Sequence, residues 1–236
     1  MKKAHKGGPL QEAQAPRRVS TKQFLAVYLC LHPMLEREKL FKELREYENA
    51  KDEISQLSLR VTRMSKAVVY SAIRDDWGSA EEALKSLEAE AEKLRGLVSR
   101  WPMFYGIAAH GLQEYVEAAV VYSFLRYSRL PGREELGVDV YTYLMGVGDA
   151  AGELSRKATE ELLRGGVKAA SRLRDAVEEL YLSMLSLEPR DYDLRRKVDY
   201  VASQANWITE KLFYAVACRS LRAPQEAAEA GRGQGE

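Results

Sequence analysis

Four acidic residues interrupt two otherwise apolar stretches of this chain. In the first, Gly111-Leu112-Gln113-Glu114-Tyr115-Val116-Glu117-Ala118-Ala119-Val120-Val121-Tyr122, Glu114 and Glu117 stand three apart. Residues at that spacing share one face of a helix. In the second, Tyr143-Leu144-Met145-Gly146-Val147-Gly148-Asp149-Ala150-Ala151-Gly152-Glu153-Leu154, Asp149 and Glu153 stand four apart and share a face as well. Buried carboxylates have to be neutralised, paired or placed on a metal. Neither stretch contains a Lys or Arg to pair with them. If the two helices pack as neighbours, four carboxylates converge on an all-oxygen site, which suits the hard ions Mg²⁺ and Mn²⁺. Such an ion lowers the pKa of a bound water and stabilises charge on a phosphate in transfer. The chemistry indicated is phosphodiester hydrolysis.

The plainer reading of E-x-x-E and D-x-x-x-E is a solvated helix face. The apolar flanks weigh against it, and so do Gly146, Gly148 and Gly152. Each glycine in a helix interior costs up to ~1 kcal/mol relative to Ala. Three together imply close approach of another helix or a ligand. His110 lies four residues before Glu114, where it either supports the acids, acts as a general base or packs as a bystander. A di-iron carboxylate bundle requires two Glu-x-x-His motifs. The three histidines, His5, His32 and His110, do not follow a Glu at that spacing. Neither a nucleophile elbow, a Cys/His pair nor a P-loop is present.

The elements that must position these acids are helices. The chain has 236 residues, 46% hydrophobic and 30% charged, enough for one large domain. Leu, Ala, Glu, Lys and Arg dominate, and no segment alternates in the manner of a strand. The spacing predicts a short leading helix near Phe24–Leu31 and six more after it. These run from about 35 to 74, 79 to 99 with Ser79 as N-cap, 103 to 128, 139 to 164, 168 to 185 and 192 to 221. The class is all-α, an antiparallel bundle of about six to seven helices with short connections.

Residues 1–18 are basic, with Gly and Pro and no periodicity, and read as a disordered arm. Residues 19–222 read as the helical domain and 223–236 as a disordered tail. Arg17-Arg18 ahead of the apolar run faintly mimics a twin-arginine signal, but the run is too short to span a bilayer. Net charge is +1, so any attraction to a polyanion must come from locally gathered basic residues. Cys30 and Cys218 lie far apart without a CxxC, which excludes a disulfide scaffold or zinc site and fits a reducing cytoplasm. No partner role for a membrane is expected.

At the same acids the sequence resembles the translin/TRAX family. Gly111 to Ala118 looks like the TRAX helix that supplies two catalytic glutamates. Asp139-Val140, Tyr143-Leu144, Gly146-Val147, Asp149 and Gly152-Glu153-Leu154 look like the next family helix, with its further acids. Leu57-Ser58, Val61-Thr62, Ser65-Lys66 and Arg74 match the first long helix, and Asp193 to Lys197 then Asp199 resemble translin's last. The likeness covers roughly residues 35 to 220. It departs at Met64 and Arg60, where TRAX carries acids. In that family translin binds RNA without the acids, while TRAX carries them and cuts RNA. Together they form the hollow octameric component 3 promoter of RISC. The resemblance therefore implies a metal-dependent endoribonuclease acting on single-stranded RNA. Glu114, Glu117, Asp149 and Glu153 would hold Mg²⁺ or Mn²⁺, in a homo-oligomer, as an octamer. Single-stranded DNA is a second candidate ligand.

Basic residues would hold the RNA backbone, contributing affinity without sequence preference. The candidates are Arg60, Arg63, Lys66, Arg126, Arg129, Arg156, Arg195, Arg196 and Lys197. Tyr115, Tyr122 and Tyr127 could stack on bases, although core packing is the commoner role. The competing reading is a non-catalytic RNA- or single-stranded-DNA-binding oligomer of the translin kind. A helical scaffold without a nucleic-acid role is a third.

Overall fold

The computed structural model describes residues 20–22 and 36–232, with side chains as far as 218. Seven α-helices lie within the described residues, and no strand does. They are α1 (Arg37–Ile73), α2 (Trp77–Arg100), α3 (Tyr105–Tyr127), the short α4 (Arg133–Leu136), α5 (Val140–Leu163), α6 (Val167–Ser186) and α7 (Tyr192–Arg232). The all-α expectation holds. The leading helix near Phe24–Leu31 and the arm 1–18 fall outside the described residues. At the other end, α7 runs to Arg232, beyond the expected stop near Leu221.

The chain divides into two compact units, 1–48 and 49–236. Besides residues 20–22, the described part of the first is the start of α1, where Leu40, Phe41 and Leu44 are exposed. The second unit contains the core and the acids.

Local chemistry sets the helix ends. Asp76, not Ser79, caps α2: its carboxylate accepts from Ser79 N at 3.3 Å, so Ser79 is the recipient of the cap. Both are cap-forming residue types, and the tertiary turn decides between them. That turn is fixed by Asp75, held at φ +63° and accepting from Lys157 Nζ at 2.7 Å. Lys157 is 7% exposed at the side chain, and it also donates to Ile73 O at 3.0 Å. Before α3 a 3-10 turn, Pro102–Phe104, occupies what the sequence suggests is the helix's first turn. Pro102 supplies the fixed φ that such a turn tolerates. Asp139 caps α5 by accepting from Tyr141 N at 2.9 Å and Thr142 N at 3.0 Å. The left-handed Ser128 ends α3, and Gly165 at φ +80° closes the turn after α5.

Four helices matter for the acids. The α3 helix packs on α5, and α5 packs on both α6 and α7. Val116, Val120, Ala150, Ala151, Leu154, Val201 and Ile208 are almost fully buried among them. Full burial of a Val, Leu or Ile side chain contributes about 1.5–3 kcal/mol. Small residues set the separation. A Cβ on Gly146 would stand 2.6 Å from both Gln113 O and Val116 Cβ, so α5 lies directly on α3 there. A Cβ on Gly111 would stand 2.8 Å from Ser58 O, which fixes α3 against α1 in the same way.

Candidate active site

The four acids meet in a cleft of about 440 Å³ walled by α3, α5 and α7. Glu114 and Glu117 come from α3, and Asp149 and Glu153 from α5. The sequence expectation that these two helices are neighbours, with glycines marking the approach, is what the packing shows. Gly148 and Gly152 make room for α7 rather than for α3. A Cβ on the first would collide with the stem of Lys197, and one on the second with the Tyr200 hydroxyl.

The counter-charges are a correction to the sequence reading. Though neither acidic stretch holds a cation, two reach the cleft from outside. Lys197 of α7 donates from Nζ to Asp149 Oδ1. Arg156, one turn beyond Glu153 on α5, pairs with its carboxylate at 2.6 Å through a terminal nitrogen and at 2.8 Å through Nε. Gln113 donates from Nε2 to the other Asp149 oxygen at 2.5 Å. His110 Nε2 lies 3.6 Å from Glu114 Oε1, with its ring 65% exposed.

Four carboxylates against two fixed cations leave the cleft with an excess of negative charge. Glu117 carries the consequence. Burial pushes its carboxyl up from 4.5 to about 8, with Glu114, Asp149 and Glu153 adding to the rise and Lys197 opposing it. Burial, then Asp149, Glu117 and Glu153, also push the Tyr200 phenol up. A proton on Glu117 is thus how the cleft limits its own charge. A hard divalent cation would do the same with donors of the right chemistry, all carboxylate oxygens. As the side chains stand, no group of three such ligands among the described residues is arranged around one point. The geometry explains why: Lys197 and Gln113 occupy Asp149, and Arg156 occupies Glu153. The donor set fits a divalent ion, with these protein cations as its competitors.

Of the nine basic residues singled out, only Arg156 and Lys197 line the cleft. Arg60 on α1 pairs with Glu90 of α2 at 3.0 Å. Arg129 makes a two-pronged contact with Glu135, both bonds 2.7 Å. Arg126 lies over the Trp77 ring at 5.3 Å and Arg196 over Tyr192 at 5.7 Å. Arg63, Lys66 and Arg195 are exposed, with no ion pair among the described residues. Tyr115 and Tyr122 are core residues at 3% and 4% exposure, whereas Tyr127 is 62% exposed. Gln113 and Tyr200 belong to the site and were not singled out. Gln113 sits inside the acidic motif, and Tyr200 follows Lys197 by three residues, which puts both on one face of α7. Those spacings were the available signal.

Comparison with known proteins places these features in a group. The profile described as the Translin family matches residues 35–220. An uncharacterized protein of Methanocaldococcus jannaschii is 27% identical over 167 residues, covering 68% of this chain and 73% of its own. The crystal structure of apo-NeC3PO is similar at 40% identity and a TM-score of 0.76, covering 77% of this chain and 98% of that one. The structure of an AfC3PO–duplex RNA complex shares the fold at 23% identity and a TM-score of 0.71, covering 78% of this chain and 98% of that one.

Proposed function

We propose, from the premise that this chain belongs to the translin family, that it is a metal-dependent endoribonuclease cutting single-stranded RNA in the acidic cleft. The observation that carries the reading is the convergence of Glu114, Glu117, Asp149 and Glu153 on one cleft, where burial first and the crowding of the acids second keep Glu117 from ionising near neutrality. Pure binding of a polyanion has no use for that charge. RNA as the ligand class is supported by AfC3PO, a protein of the same fold whose structure includes duplex RNA.

Glu114, Glu117, Asp149 and Glu153 would hold Mg²⁺ or Mn²⁺. When bound, such an ion supplies positive charge opposite the phosphate and activation of the attacking water. The chain's own residues do the rest. Lys197 and Arg156 stand ready to exchange carboxylate partners for phosphate oxygens, which places the backbone over the acids. Glu117, buried beside three other acids, holds its proton near neutrality while the cleft is without a cation, so that binding the ion would release that proton. Gln113 and Tyr200 hold Asp149 and the wall of α5 in register. The family membership also supports a homo-oligomer, an octamer, as the working form.

A second reading has its own observation. Lys197 and Arg156 already neutralise two of the acids, which is compatible with RNA binding without cutting, or with binding of single-stranded DNA. Cleavage of a labelled single-stranded RNA in Mn²⁺ or Mg²⁺, beside EDTA and beside Glu117→Gln, separates the two. Cleavage that requires both metal and Glu117 is expected. Cleavage that survives EDTA or the substitution overturns the assignment, and binding without cleavage moves the chain to the second reading.

A further inference from the structure

A second cleft, of about 490 Å³, adjoins the acidic one along the same two helices and shares Gly152 and Arg156 with it. The α5 and α7 helices run in the same direction there, since Gly148 faces Lys197 and Gly152 faces Tyr200. Following α7 onward from Lys197 and Tyr200, the next residues on this face are Gln204, Trp207 and Lys211, at helical spacing. Ten residues separate Lys197 from Trp207, roughly 15 Å of helix. The groove therefore continues from the acids to an aromatic platform over a distance that a few nucleotides span.

Its lining differs from that of the acidic end. Trp207 is 39% exposed, and Lys211 Nζ lies 5.5 Å from its ring centroid. The Gln204 amide has no hydrogen-bond partner among the described residues. The hydroxyls of Ser203 and Thr159 are spent on their own helices, donating to Tyr200 O at 2.6 Å and Ser155 O at 3.0 Å. The one acid, Glu160, is turned toward Arg164 at 4.0 Å. A half-exposed indole beside a cation, with a free amide one turn before it, matches what unpaired nucleobases require: a π-face, a positive charge near the backbone and an edge that both donates and accepts.

We propose that this groove is a nucleotide subsite of the acidic cleft, in which Trp207 stacks on an unpaired base of the strand while Lys211 and Arg156 flank its phosphates and Gln204 meets the base edge. The subsite rests on the nuclease reading and explains a preference for single strands, since paired bases cannot lie flat on the indole. Arg156 anchors the phosphate nearest the acids, and Trp207 sets how far along the strand the protein grips.

The test uses full-length protein in EDTA, where no cutting occurs, and a short fluorescently labelled single-stranded RNA read by anisotropy. Stacking on an aromatic ring is worth about 1–3 kcal/mol per base, so Trp207→Ala is expected to weaken binding roughly 5- to 150-fold. Trp207→Phe, which keeps a π-face, should recover most of the affinity. Trp207→Leu, which keeps apolar bulk, should not. A fully paired duplex of the same sequence should bind wild type and all three variants alike. In parallel, strand binding should quench tryptophan emission in wild type and not in Trp207→Phe, which retains Trp77 and Trp101. Equal single-strand affinity for Trp207→Leu and wild type overturns the subsite while leaving the nuclease reading standing. An altered sedimentation coefficient in Trp207→Leu with unchanged RNA affinity also overturns it, and assigns Trp207 to contact with a second copy. No RNA binding by wild type removes both the subsite and the reading beneath it.

Discussion

Replacing Glu117 with Gln offers a direct check on the electrostatics of the cleft, independent of any activity. In the folded protein the Glu117 carboxyl keeps its proton up to about pH 8, against 4.5 for an ordinary glutamate. Burial is the largest cause, followed by Glu114, Asp149 and Glu153. Between those two values the unfolded chain has lost this proton and the folded chain has kept it. The folded state therefore binds more protons, and stability must fall as pH rises through the window. At ~1.36 kcal/mol per pH unit, the interval sets a ceiling of about 5 kcal/mol on the loss. Gln mimics the protonated carboxyl and cannot ionise, so Glu117→Gln lacks this contribution. Urea unfolding in EDTA at about pH 5, about pH 7 and about pH 9 should show the two proteins close at the acid end and the variant more stable at the alkaline end. The difference between the two curves isolates Glu117 from the other titrating groups. Saturating Mn²⁺ should then raise the stability of wild type at neutral pH, by ~2.7 kcal/mol at a hundredfold excess over Kd, and raise that of the variant by less. Parallel stability curves for wild type and variant across the whole range would refute the argument, because Glu117 could not then be both buried and crowded by three acids.

Three further outcomes follow from the packing and the surface charges. Gly146→Ala drives a methyl group into Gln113 O and Val116 and should cost about 1–3 kcal/mol by urea unfolding, whereas Gly96→Ala, with nothing within 4 Å, should gain up to ~1 kcal/mol. Equal effects would mean that α3 and α5 are further apart than described. Lys157→Met removes the buried cation from Asp75 and Glu161, while Arg164 still lies 3.3 Å from the first and 3.9 Å from the second, so stability should fall by less than the about 3 kcal/mol of a broken buried pair; an unchanged melting temperature would contradict it. Arg63→Ala and Arg195→Ala should each reduce the slope of log affinity for single-stranded RNA against log salt by ~0.7 if they meet phosphates, while Arg129→Ala, already paired with Glu135, should leave it unchanged.

What the sequence made legible follows from what periodicity encodes. Glu114, Glu117, Asp149 and Glu153 stand out because carboxylates are costly among apolar residues, and that cost is a property of the local run. The glycines at 146, 148 and 152 announce close approach for the same reason, since a lost helix preference needs a local offset. Neither signal says which neighbour approaches. Gly146 meets α3, whereas Gly148 and Gly152 meet Lys197 and Tyr200 of α7. Lys197 was readable as a cation on a translin-like helix, and its role was read as phosphate contact. Its partner Asp149 is 48 residues away, and nothing in either segment encodes that pairing. The choice of Asp76 over Ser79 as a cap, and the pairing of Arg60 with Glu90, were likewise settled by tertiary contact between residues that are equally good locally. The consequence reaches the chemistry. A four-acid site read from sequence alone would be strongly negative and in need of a metal to fold. With Lys197, Arg156 and the Glu117 proton in place, the same site is close to neutral without one. The cleft can therefore form without a metal; on the proposed nuclease reading the ion and the RNA would follow, the two cations exchanging carboxylate for phosphate oxygens.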